Sequence, residues 1–180
     1  MLRTSILLTI IILFTACNPN SSILISQLPK KELLSQDTIS RLPIPFRAKG
    51  YSKILTNLYT TESDFIAFIN KVKTEKFWNK EEKKNFIDSL QMNPIDFTKY
   101  NLLIYTIKES SGATKLTIDP PKGDNAHITI IINRDVAQIG RADMAYYALA
   151  YKVKKSVIDI TFDNGVKKEI ILNKRAYSYP

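Results

Sequence analysis

The run VIDITFDNGVKKEIIL, Val157–Leu172, decides the fold class: two β-rich segments, Val157–Phe162 and Val166–Leu172, are separated by Asp163-Asn164-Gly165. β-Branched and aromatic residues favour extended backbone, and Asn-Gly supplies the positive φ angles of a type I′ turn. The stretch therefore predicts an antiparallel hairpin whose register is set by its turn. Working toward the amino terminus, Ala145–Val153 has alanines that suit a helix, but Tyr147, Leu149, Tyr151 and Val153 alternate as a strand does, and strand is the reading adopted. That alternation puts Tyr147 and Tyr151 on one face and Tyr146 on the other. Ile128–Ile132 is dense in β-branched residues, and Lys115–Ile118 alternates polar with apolar before the break at Pro120-Pro121-Lys122-Gly123. Leu102–Ile107 is apolar or aromatic on both faces, the pattern of a buried strand.

Upstream of these strands the period changes. Phe65, Phe68, Ile69 and Val72 recur at three and four residues behind Thr61 and the acidic Glu62 and Asp64, which predicts a capped helix ending near Lys73. Asn79 with Glu82 three residues on is a variant of the capping box. It opens a second helix with Phe86, Ile87 and Leu90 inside and Asn93-Pro94 as its stop. Trp78 stands just before this helix and is expected to pack beneath it. Tyr51, Ile54, Leu55 and Leu58-Tyr59 predict a first strand. The order of strand, two helices and about six strands predicts an α+β domain, a mostly antiparallel sheet or small sandwich with the two helices near the amino-terminal part. One domain over residues 46–180 fits the length, with residues 17–45 as a flexible tether rich in Ser, Pro, Lys and Gln, whose short apolar islands could dock on the domain.

The first seventeen residues give an address. Arg3 precedes an apolar run from Ile6 to Phe14, then come Thr15, Ala16 and Cys17, the single cysteine of the chain. The nine residues from 6 to 14 rise about 14 Å as a helix, short of a hydrocarbon core of about 30 Å, so a cleaved signal over residues 1–16 explains them better than a transmembrane span. Cys17 has the position of a lipobox cysteine, although Phe14 stands where Leu is usual. Acyl chains such as palmitate on Cys17 would hold the protein on a bacterial membrane, at about 0.8 kcal/mol per buried CH₂. The expected location is the cell envelope, with the domain facing the periplasm or exterior.

The formal charge of +9 would fall to +8 on loss of Arg3 with the signal. A basic balance invites anionic lipid or nucleic acid. The densest run, Lys80-Glu81-Glu82-Lys83-Lys84, mixes both signs as a solvated helix face does, and an export signal argues against nucleic acid as partner.

Three segments carry a resemblance. They are Gly50-Tyr51-Ser52-Lys53-Ile54 with Thr61-Glu62-Ser63-Asp64-Phe65, then Ile95–Tyr100 leading into Leu102–Tyr105, then Ala145–Lys155 before a closing strand. Across about residues 50–172 the chain resembles bacterial lipoproteins with a PrcB-like domain, named for an accessory subunit of a surface protease complex. It departs from their pattern at Ser110-Ser111-Gly112-Ala113-Thr114, where a Thr-Gly-Gly-Tyr-like turn would be expected. The resemblance implies a non-catalytic envelope module that binds or stabilises another protein, with a protease as the implied partner.

Chemistry-bearing residues are few. His127, the one histidine, opens an apolar β run and reads as exposed at the strand's edge. A zinc site takes three or four Cys, His or carboxylate ligands, and neither a Gly-x-Ser-x-Gly elbow nor a Gly-rich loop followed by Lys occurs, so no metal or other cofactor is expected. Asp135 and Asp143, beside Arg134 and Arg141 in one loop, are the carboxylates that a small envelope hydrolase would use, the alternative to a binding module. For a binding module the candidate contact residues are Arg134, Arg141, Tyr146 and Tyr151, since tyrosine and arginine are enriched at interfaces.

Overall fold

The double-sided apolar run at Leu102–Ile107 lies at the centre of a sheet covered on both faces. The computed structural model describes residues 34–35, 37–140 and 142–174, all within one unit, Lys31–Pro180. Among them the elements are β1 Ile39–Leu42, β2 Asn57–Tyr59, α1 Glu62–Thr74, α2 Lys80–Gln91, β3 Tyr100–Glu109, β4 Lys115–Ile118, β5 Lys122–Gly123, β6 His127–Asp135, β7 Ala145–Lys154, β8 Asp159–Asp163 and β9 Lys168–Leu172. The first sheet is antiparallel in the order β1-β7-β3-β2; the second runs β4-β6-β8-β9, with β5 also pairing β6. Among the described residues only β6 and β8 pair in parallel. The domain is thus α+β, a small sandwich with two helices laid on one outer face.

Two apolar layers explain the sequence pattern. Leu103, Tyr105 and Ile107 of β3 and Tyr147, Leu149, Tyr151 and Val153 of β7 face the second sheet. There they meet Ile128, Ile130, Ile132, Ile160 and Phe162, and Tyr105 stacks on Phe162 at 3.6 Å between centroids. Leu102 and Ile104 of β3 and Ala148 and Ala150 of β7 point the other way, into a layer with Phe68, Ile69, Val72, Phe86, Ile87 and Leu90 of the helices. The alanines that look helical in the sequence stand where β7 must leave room for the Ala48–Ile54 segment and the helices.

Both helices start as expected. Thr61 Oγ1 accepts the Asp64 N–H at 3.1 Å, and Asn79 Oδ1 accepts the N–H groups of Glu81 and Glu82. Trp78 is buried beneath α2, with its ring 5.1 Å from Phe86 and 5.4 Å from Tyr51. A Cβ on Gly50 would come within 2.0 Å of that indole, so only glycine lets the ring lie there.

Three expectations need correction. Lys49–Lys53 is a 3-10 turn and not part of a first strand, because Tyr51 turns inward to the aromatic cluster and its hydroxyl donates to Pro45 O; only Asn57–Tyr59 is strand. The expected tether boundary at residue 45 is too late. Ile39–Leu42 pairs with Val153–Ala150, and Phe46–Ala48 continues along β7 through Ala48 N–H to Tyr146 O and Ala148 N–H to Phe46 O. The sequence hid this strand because it is short and proline-flanked, its partner lying over a hundred residues away.

The closing hairpin forms, but not with a type I′ turn. Gly165 has φ +76° and no other residue of the turn has a positive φ, whereas type I′ needs two. Asn164 Oδ1 instead accepts the Val166 and Lys167 N–H groups, and Asp163 pairs with Lys168. Relative to a two-residue Asn-Gly loop the register moves by two residues, so each side chain stays on its expected face.

Candidate functional site

Strand β2 holds only three residues against β3, pairing Asn57–Tyr59 with Ile104–Leu102. Just before it the ladder stops, because Thr56 Oγ1 takes the Thr106 N–H at 3.0 Å in place of a backbone carbonyl. Residues Thr60 and Thr61 then lead straight into α1, which folds back over the strand. Between the two runs a groove of about 500 Å³, within the span of about 300–1,000 Å³ usual for ligand sites. One wall is Ile54–Tyr59; the other is the α1 face bearing Asp64, Ala67, Phe68, Lys71, Val72 and Glu75. Trp78 closes it, seated by the bare α-carbon of Gly50.

The lining is mostly apolar, and the charged residues along it are Lys53 on the strand wall and Asp64, Lys71 and Glu75 on the helix wall. Leu55, on the strand wall, is 79 % exposed, and Phe77, 76 % exposed, lies under the Lys53 ammonium at 4.9 Å from its ring centre. The Trp78 indole N–H is buried without a hydrogen-bond partner among the described residues. A buried donor left unmade costs about 1–3 kcal/mol. On the opposite side of β2 lies a second cavity of about 360 Å³, shared by Thr56–Leu58 with Ile171 and Leu172 of β9.

The residues singled out from the sequence do not gather at one place. Arg134 is committed inside the protein: its Nε and one terminal nitrogen bond both oxygens of Glu109, a carboxylate 3 % exposed. Tyr146 and Tyr151 stand an odd number of residues apart and so face opposite sides of β7. Tyr151 is 1 % exposed between the sheets, where burial pushes its hydroxyl up to about 12, and it can form no surface contact. Tyr146 is half-buried on the helix side and its hydroxyl meets Met144 Sδ at 3.3 Å. Arg141 and Cys17 lie outside the described residues. Asp135 and Asp143 are both exposed, and neither lines either of these cavities; Asp143 packs over Gly112 and its carbonyl accepts the Gly112 N–H at 2.7 Å.

His127 is exposed, as expected, but it starts a central strand and is not free: its Nδ1 lies 2.6 Å from Asp159 Oδ2, its direct partner across the parallel pair. That hydrogen bond raises the imidazole's pKa above its ordinary value. The folded state therefore favours the protonated ring. This contribution is complete below about pH 6 and is lost as pH rises through the raised value. Urea-unfolding midpoints measured between pH 6 and pH 8.5 are expected to fall less with pH in His127→Gln than in the native protein; parallel slopes would refute the linkage. Among the described residues no three His, Cys, Asp or Glu side chains are grouped as a metal site requires, and no helix is long and apolar enough to cross a membrane.

No protein-family model, no curated protein and no solved structure matches the chain. The sequence gives one sign near the groove: Phe77 is a large apolar residue that belongs to no helical or strand period, and it stands beside Lys76.

Proposed function

We propose that the protein is lipid-anchored in the bacterial cell envelope through Cys17 and acts as a non-catalytic protein-binding or accessory module, its partner bound in the groove between β2 and α1. The groove carries the reading. It is mostly apolar, of ligand-binding size and lined by the exposed Leu55, features that mark interaction sites on protein surfaces. The resemblance to PrcB-like lipoproteins suggests a protease as the partner to assist or stabilise. The amino-terminal sequence supports anchoring, with Arg3, the apolar run and Cys17 in the order of a lipoprotein signal.

The test is a crosslinked pull-down of tagged full-length protein from detergent-solubilised membranes, beside Cys17→Ala and Ala67→Arg variants. Ala67 is exposed on the groove wall, so arginine there fills the groove without entering the core. A reproducible protein partner lost with Ala67→Arg is the expected result, and fatty-acid labelling is expected to disappear with Cys17→Ala. Recovery of the bait alone would overturn the accessory reading.

A further inference from the structure

We infer that the groove takes an extended polypeptide segment, added as a further strand on the free edge of β2. This rests on the groove being the binding surface and names what it binds. Among the described residues the first sheet ends at β2, which has no neighbour on its outer side. An edge strand presents backbone N–H and C=O groups that only another backbone matches along its length. The wall before it is already extended, with Ile54 at φ −99° and ψ 132°.

The dimensions agree. From Asp64 to Glu75 the α1 wall rises about 16 Å, and five residues of extended chain span about 17 Å. Side chains of a strand alternate between faces, and this edge has a cavity on each: the groove over Phe68 and Val72, and the hollow beside Ile171 and Leu172. An added strand would fill both with alternate apolar side chains.

Trp78, 5 % exposed, lines the groove, and its indole nitrogen is buried without a partner among the described residues. Glu82 Oε2 is also buried without a partner, but Glu82 does not line the groove. An acyl chain of the same bulk could fill the apolar volume, yet it would leave the β2 edge unmatched. The rim has two cations and two anions, so net charge does not select the occupant, and affinity is expected to change little with salt.

Affinity selection of a displayed random library of about seven-residue peptides on full-length protein in detergent, with Ala67→Arg as counter-target, tests the mode. Expected are peptides with apolar residues at alternate positions that bind Ala67→Arg at least about tenfold more weakly. Hydrogen exchange at β2 is expected to slow in the complex, and N-methylation of the peptide's alternate amides to abolish binding. The strand mode is overturned by apolar residues spaced three and four apart, by equal enrichment on the two targets, or by N-methylated peptides that still bind. Palmitate binding that the selected peptides fail to displace overturns it too. If Ala67→Arg still loses its pull-down partner while no strand-like peptide emerges, the groove reading survives and only the strand mode fails. If the partner is indifferent to Ala67→Arg, the groove itself is wrong.

Discussion

Replacement of Phe86 by alanine is expected to remove about 4 kcal/mol of stability, within the range for deleting a fully buried phenylalanine. Phe86 has no exposed surface and is the common neighbour of Trp78 at 5.1 Å, Tyr51 at 5.5 Å and Phe68 at 6.2 Å. These three rings come from three different stretches of chain, so no single one can move into the gap without leaving another contact. In a domain of this size the loss lowers the thermal midpoint by roughly 15 °C, readable by circular dichroism. The exposed neighbour offers the contrast. Phe77→Ala should change stability by less than about 0.5 kcal/mol, since its ring touches little beyond Lys53. A Phe86 variant that melts within a few degrees of the native protein would mean that the helices are not held to the sheet through this cluster.

Arg134→Ala is the second large effect, and it separates two roles for that residue. The guanidinium bonds both oxygens of Glu109, which is almost wholly buried near the end of β3. Removing the cation leaves an uncompensated interior charge, at a cost of about 3 kcal/mol, the low end for a buried pair because Arg134 keeps 27 % of its side chain in water. Replacing both partners by apolar residues, as in Arg134→Leu with Glu109→Met, should recover most of the loss, because neither charge then has to be desolvated. Denaturant unfolding of the single and double variants gives the comparison. A stable single variant that loses its binding partner would return Arg134 to the surface role its sequence context suggested.

Sequence alone reaches only as far as its local signals. Period, caps and turn residues are local, and from them both helices, β3, β4, β6, β7 and the strands of the final hairpin follow, with the inward faces of the helices and of β7. The α+β class follows with them. What was hidden depends on distant partners. Ile39–Leu42 becomes strand only because β7 offers an edge, and nothing within ten residues of it signals that. Arg134 reads as a loop cation until Glu109, 25 residues earlier, is seen beside it. His127 likewise acquires its carboxylate through the parallel pairing of β6 with β8, a relation no hairpin pattern implies. The groove was the least legible part. Its existence depends on Thr56 ending a ladder early and on Gly50 yielding space to an indole 28 positions later in the chain. Alternation on β7, by contrast, already separated Tyr146 from Tyr151 and so undercut a joint surface for them.

The place of β7 in its sheet has a consequence for how the chain is made. It lies between β1 and β3, matching Ile39 with Val153 and Tyr100 with Lys154. A polypeptide emerging amino-terminus first therefore holds β1 with no partner, and later the greasy β3 with only β2 on one edge, until synthesis has passed residue 154. Closure across such a sequence distance is slow, since chain entropy must be lost before any contact offsets it. During that interval Leu102–Ile107 keeps one edge open as an aggregation-prone template, and a nascent chain halted before β7 would be a substrate for chaperones or proteolysis with its first sheet incomplete.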